Sequence, residues 1–165
     1  MATATITTTH EGGRDEQQRF LRRPASARRV HTGHQGEISG AGGGYWNSGQ
    51  ECGAATRVLV HESVAEQFVG LLVEKVRSCT VGDPRAGAEV ELGPLVSEAH
   101  FQRVKEFIDR AIADGAAAAF GGGPLDGDGF FIAATVLTGV KPGSEASQEE
   151  IFGPVVTVET CRSTP

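Results

Sequence analysis

Apolar positions along the chain fall into two helical stripes and a few short β-branched runs, and these set the expected fold. Val64, Phe68, Leu71, Leu72, Val76 and Cys79 recur at three- and four-residue intervals, which predicts an amphipathic helix from about Val64 to Cys79. Ser63, with Glu66 three residues on, has the form of a capping box at its start. A second stripe, Phe101, Val104, Ile108, Ala111 and Ile112, predicts another helix, capped by Ser97 and stopped at Gly115. Between and around these helices, Thr56–Val60, Phe130–Val136 and Val155–Val158 read as strands, and the alanine-rich Ala116–Phe120 as a weak one. Strands alternating with helices predict an α/β fold, a mostly parallel open sheet with flanking helices. The chain stops soon after the last strand without a capping element, so an open sheet edge is expected.

The pattern is absent from residues 1–40. Arg14, Arg19, Arg22, Arg23, Arg28 and Arg29 punctuate this segment, and large apolar side chains are too few to offset the entropy of ordering it. It reads as a disordered leader ahead of a partial domain over 41–165. Such arginines can form a basic arm for nucleic acid or membrane, but a run of this kind reads first as a solvated segment.

Glycine is used 23 times, much of it in turns. The triplet Gly121–Gly122–Gly123 lacks the Lys-Ser/Thr of a phosphate-binding loop and has no helix behind it, so it reads as a hairpin tip. A net charge of −6 on 165 residues points to no nucleic-acid partner. Apolar runs fall short of the ~18 residues of a membrane span, so no membrane partner is expected either. Three widely spaced cysteines, Cys52, Cys79 and Cys161, exclude a disulfide framework, suggest no metal site, and suit a reducing, cytoplasmic setting.

Of the three thiols, Cys79 lies on the apolar face of the first helix and reads as a packing residue. Cys52 stands between Gly49 and Gly53, where the backbone can take an unusual path and let a carbonyl approach. It is the candidate nucleophile, and its own N–H is a candidate oxyanion donor. The competing reading is a buried structural thiol. Glu149 and Glu150 face opposite ways if extended, so one of them is expected in a cleft, as a general base or as an acceptor for ribose hydroxyls, and a solvated turn is the alternative.

From Gly44 to about Val158 the chain resembles the catalytic domain of the NAD(P)-dependent aldehyde dehydrogenase superfamily. Tyr45-Trp46-Asn47-Ser48-Gly49-Gln50-Glu51-Cys52 is similar to its cysteine motif, and Glu149-Glu150-Ile151-Phe152-Gly153-Pro154-Val155 to its second signature. Leu92-Gly93-Pro94-Leu95 and Gly129-Phe130-Phe131-Ile132 have counterparts as well, and the run into Ser97-Glu98-Ala99-His100 leans toward the aminoaldehyde and betaine-aldehyde branch. The resemblance implies an oxidoreductase that turns a small aldehyde into an acid with NAD or NADP. Cys52 would attack the aldehyde, hydride would pass to the nicotinamide, and the thioester would be hydrolysed. It further implies that Glu150 holds the nicotinamide ribose, that Phe152 packs near the nicotinamide, and that Asn47 and Gln50 shape the loop.

The sequence also departs from that pattern. No Glu-Leu-Gly-Gly general-base motif precedes Gly44, Ala134 replaces a usual proline, and the oxyanion-hole asparagine, the cofactor-binding domain and the oligomerisation segment of this homo-oligomeric family have no counterpart. The expectation is therefore an internal fragment of the catalytic domain, binding cofactor weakly by itself. The alternatives are a non-catalytic remnant and a thiol esterase-like protein lacking cofactor binding.

Overall fold

The computed structural model describes residues 4–7 and 43–162. Five strands, β1 (Ala4–Thr7), β2 (Arg57–His61), β3 (Ala117–Phe120), β4 (Thr135–Thr138) and β5 (Val155–Cys161), form one sheet in the order β1-β2-β5-β4-β3. The three central strands run parallel, while β1 and β3 pair antiparallel at the edges. The helices are α1 (Glu62–Arg77), α2 (Glu98–Ala113) and a short α3 (Glu145–Gln148) between β4 and β5.

The last strand is the middle of the sheet. β5 takes β2 on one side and β4 on the other, and its side chains from Val155 to Glu159 are buried. Among the described residues the sheet's edge strands are instead β1 and β3. Within the segment expected to be disordered, Ala4–Thr7 forms β1, with Ala4 opposite Val60 and Thr7 opposite Arg57. The rest of that expectation lies outside the described residues.

Alternate residues of the central strands supply two cores, as the two-residue side-chain period of a strand requires. Val58, Val60, Val136, Val156 and Val158 face α1, while Leu137 and Val155 join Val104, Phe107, Ile108 and Ala111 of α2. The layers are thus helix, sheet, helix. Glu159 is the charged exception in β5, at 4 % exposure, and Arg57 on the neighbouring strand reaches both its oxygens, at 2.7 and 3.1 Å. A buried carboxylate needs such a partner.

Several local expectations shift. α1 starts at Glu62 because β2 feeds straight into it: His61, still extended at ψ 135°, is the N-cap, and its Nδ1 accepts from the Ser63 N–H. Ser63 is therefore inside the helix. Leu71 is 61 % exposed and Ile112 41 %, since each sits ~100° around the helix from a stripe residue, Leu72 or Ala111. Ser97 does cap α2, its Oγ accepting from the His100 N–H at 3.2 Å.

The strand expected over 130–136 begins only at Thr135. Phe130–Ala134 makes a single bridge, Ile132 to Pro124, because its partners across the chain are the glycines and Pro124. Gly121–Gly123 forms the stem of that hairpin, with the Ala133 N–H donating to Gly123 O, and the tip falls beyond Leu125.

Candidate active site

The thiol loop is anchored at its start by Tyr45. Its ring is buried, and its hydroxyl donates to Thr135 O at 2.8 Å, at the head of β4. Burial, with Cys79 nearby as the lesser cause, pushes the phenol well above its ordinary value and keeps it a neutral donor. A 3-10 turn over Trp46–Gly49 follows, in which Asn47, Ser48 and Gly49 all have positive φ, at 50°, 57° and 70°. For a non-glycine residue this backbone costs of order 1–3 kcal/mol and persists only where neighbours impose it.

Here the neighbours are identifiable. Asn47 Nδ2 donates to Gln50 O at 3.0 Å, and the Gln50 N–H donates back to Asn47 O at 3.1 Å. Ser48 Oγ donates to Gly93 O at 2.8 Å, and Gln50 Oε1 accepts from the Val96 N–H at 2.9 Å. The Leu92–Leu95 run is thus the wall against which the thiol loop is set. Cys52 emerges from the loop exposed. Among the described residues its N–H donates to no backbone acceptor, so that group can meet a developing oxyanion.

The second segment, Glu149–Gly153, leaves α3 in extended conformation and turns at Phe152, whose φ is 57°. Side chains of α2 capture its carbonyls in succession. Arg103 donates through Nη2 to Glu150 O at 2.8 Å and through Nη1 to Ile151 O at 2.7 Å, and His100 Nε2 donates to Phe152 O at 2.7 Å. Glu149 and Glu150 are both exposed, and among the described residues neither carboxylate takes part in a hydrogen bond or an ion pair.

The two segments touch at Gly49 and Gly153. A Cβ on Gly49 would land on the Gly153 carbonyl oxygen, and one on Gly153 would lie 2.8 Å from Val104 Cγ1 of α2. Only glycine permits this stack of loop, segment and helix. Among the described residues, the non-glycine residues with positive φ are Asn47, Ser48 and Phe152, all within these two segments. Backbone strain concentrated in this way points to a functional site.

Cys52, Glu150 and Phe152 therefore sit on two segments in direct contact, Cys52 and Glu150 exposed and Phe152 half-buried. Cys79 is half-buried, its thiol pushed up chiefly by burial and then by Glu91, which suits packing rather than attack. Cys161 closes β5 and belongs to neither segment. A cavity of about 280 Å³ near Arg110, Lys141 and Glu145 likewise shares no residue with them. Sequence reasoning missed His100 and Arg103 as partners of the second segment; their one signal is an i, i+3 spacing that puts both on the same helix face.

The Aldehyde dehydrogenase family profile matches residues 39–164, which spans both segments and the whole sheet from β2 onward. The chain belongs to the aldehyde dehydrogenase family. It is 43 % identical over 122 residues to the alpha-ketoglutarate semialdehyde dehydrogenase of Haloferax volcanii, covering 72 % of this chain and 25 % of that protein. To the betaine aldehyde dehydrogenase of Brucella anthropi it is 42 % identical over 120 residues, covering 70 % and 24 %. Among solved structures, betaine aldehyde dehydrogenase from Staphylococcus aureus in complex with NAD+ superposes with a TM-score of 0.71 at 36 % identity, covering 76 % of this chain and 26 % of that one. This family member spans about a quarter of the length of the curated relatives it matches.

The second segment leaves a carboxylate that could accept from hydroxyl donors of a ligand such as a ribose. The Glu150 carboxylate offers two acceptor oxygens, exposed and uncommitted, on a backbone fixed at three successive carbonyls. Two vicinal hydroxyls are the donors such a group suits.

Among the described residues no helix is long and apolar enough to cross a membrane, and no three His, Cys, Asp or Glu side chains cluster as a metal site would require.

Proposed function

We propose that the chain carries the thiol half of an NAD(P)-dependent aldehyde oxidation site. The Cys52 thiolate attacks the carbonyl carbon of a small aldehyde, forming a carbon–sulfur bond and placing the oxygen's new charge against the Cys52 N–H. NAD(P)+, when bound, would accept the hydride that this carbon loses as the adduct becomes a thioester on Cys52. Glu150 would hold its ribose hydroxyls and Phe152 would lie beside the ring. Water then cleaves the thioester, releasing the acid and regenerating the thiol. The observation that carries this reading is the contact of Gly49 with Gly153, which sets the thiol loop against the Glu150–Phe152 segment.

The relatives' names make betaine aldehyde and alpha-ketoglutarate semialdehyde the first substrates to try. Cofactor binding by this chain alone is expected to be weak, because the residues assigned to it are confined to the ribose and nicotinamide end. A reducing, cytoplasmic setting, in which a thiol nucleophile stays free, belongs to the same proposal.

The test begins with p-nitrophenyl acetate, which needs no cofactor. The thiolate should displace nitrophenolate and leave an acetyl group on Cys52, located by peptide mass spectrometry, and Cys52→Ser should abolish the label while Cys79→Ser and Cys161→Ser keep it. Labelling of Cys79 or Cys161 instead, or of no cysteine, would sink the assignment and leave a non-catalytic remnant as the reading. NAD(P)H formation with either aldehyde should then separate a dehydrogenase half-site from a plain thiol esterase.

A further inference from the structure

We infer that His100 and Arg103 of α2 are positioning residues for the cofactor-facing segment, holding Glu150–Phe152 so that the Glu150 carboxylate is presented to a ligand. The inference rests on the proposal that this segment meets the dinucleotide. In an extended chain successive carbonyls point to opposite sides, so no single neighbour can bind them all. Here the carbonyls of Glu150, Ile151 and Phe152 are all taken by side chains of one helix, at 2.8, 2.7 and 2.7 Å. The left-handed turn at Phe152 makes this convergence possible, and the two α2 side chains hold the turn in place.

The donors themselves are well suited to the task. A carbonyl oxygen only accepts, so His100 Nε2 carries the proton, which the imidazole provides in its Nε2–H tautomer and as the cation alike. His100 is itself fixed, its backbone N–H donating to the Ser97 cap and its ring meeting Phe152 edge-on, 6.2 Å between centroids. Arg103 presents a rigid planar fork that binds two oxygens at once.

What Arg103 leaves alone matters equally. Two carboxylates, Glu149 and Glu150, lie on the segment it grips, yet among the described residues its guanidinium pairs with neither and binds backbone oxygens instead. The arginine fixes the chain while leaving the carboxylate of Glu150 uncommitted. An arginine recruited only for surface stability would gain more from a carboxylate than from two carbonyls. The chain leading into this helix also meets the thiol loop, the Val96 N–H donating to Gln50 Oε1 just ahead of the Ser97 cap.

Hydrogen–deuterium exchange on the whole chain tests this. Arg103→Met and His100→Ala should each speed exchange across 149–153 by about tenfold or more, with β5 and the rest of α2 unchanged. Arg103→Lys, which can reach one carbonyl, should restore part of the protection. Lys105→Met, a control on the same helix, should have no effect. Unchanged exchange over 149–153 in Arg103→Met would overturn the inference, and so would an equal rise throughout α2 and β5, which would mark a general structural role.

Titration with NAD+ by fluorescence quenching separates the two claims. If Glu150→Gln and Arg103→Met weaken binding by similar factors, both stand. If Arg103→Met loosens the segment but leaves NAD+ binding as in wild type while Glu150→Gln weakens it, the positioning role fails. If NAD+ binding is measurable and neither Glu150→Gln nor Arg103→Met alters it, the cofactor assignment of Glu150 fails and the exchange data alone decide whether His100 and Arg103 hold the segment.

Discussion

Helices α1 and α2 are each sixteen residues long with one apolar stripe, yet they are buried to different depths. Val104, Phe107, Ile108 and Ala111 of α2 are fully buried, whereas in α1 only Val76 is, and Val64, Phe68, Leu72 and Val73 remain half-covered. The difference lies in what each helix meets. Among the described residues α1 rests mainly on the sheet, as the continuation of β2, with Tyr45 and Leu92 in the same cluster. α2 is wedged between the sheet and the Glu149–Gly153 segment, so its stripe is covered from two sides and its flank carries the hydrogen bonds that hold that segment. Equal amphipathicity thus yields a covering helix in one place and a site-building helix in the other.

The largest effect expected from this contrast is on unfolding. Ile108→Ala, at a fully buried position, should cost about 3–4 kcal/mol, and Leu72→Ala on α1 about 1–2 kcal/mol, read from urea midpoints. Similar losses at the two positions would break the comparison. Gly153→Ala comes next, at about 2 kcal/mol, because the new methyl meets Val104 Cγ1. Combining it with Val104→Ala should recover part of that loss, and strict additivity would show that the close approach of helix and segment is not the cause.

Tyr45→Phe should cost about 1 kcal/mol through the lost bond to Thr135 O. Its pH dependence has a definite sign. The folded phenol titrates above the ordinary value of 10.0, so its contribution is fully present below pH 10 and is lost as the pH rises beyond it, when the unfolded chain ionises and the folded one resists. Cys79, raised from 9.0 for the same principal reason, acts in the same direction at slightly lower pH. Both belong to the α1 side of the sheet, and denaturation curves from pH 8 to 11 should fall less steeply for Tyr45→Phe. The smallest effect is expected at Leu71→Gln, within about 0.5 kcal/mol, since this side chain is 61 % exposed. A loss above about 1.5 kcal/mol there would mean that α1 is covered on its outer side as well.

Much of the fold was legible because it is local. The i, i+3, i+4 recurrence of Val64 to Val76 and Phe101 to Ala111 is a property of neighbouring residues and survives into the structure almost unchanged. Element ends were less legible, as at Ser63, whose capping role was taken by His61 because a strand arrives there without a linker. The strand expected from Phe130 started at Thr135 because Phe130–Ala134 faces the glycines and Pro124, whereas β5 lies alongside from Thr135 onward. The site divided in the same way. Cys52, Glu150 and Phe152 stand out through two recognisable motifs, while nothing in the local sequence marks Arg103, whose partners lie 47 and 48 positions away.

By itself, then, the sequence determined which segments are helix and strand, where a thiol is set among glycines, and which family the motifs resemble. The tertiary structure alone decided that the last strand lies at the centre of the sheet, that Glu159 is buried against Arg57, and that Gly49 meets Gly153. It alone placed Arg103 on carbonyls 47 and 48 positions away in the chain. Hydrophobic periodicity is set by the geometry of a single element, so it is written along the chain. Strand order, carbonyl capture and backbone contact depend on how separate elements cross in space, and no local pattern encodes that crossing.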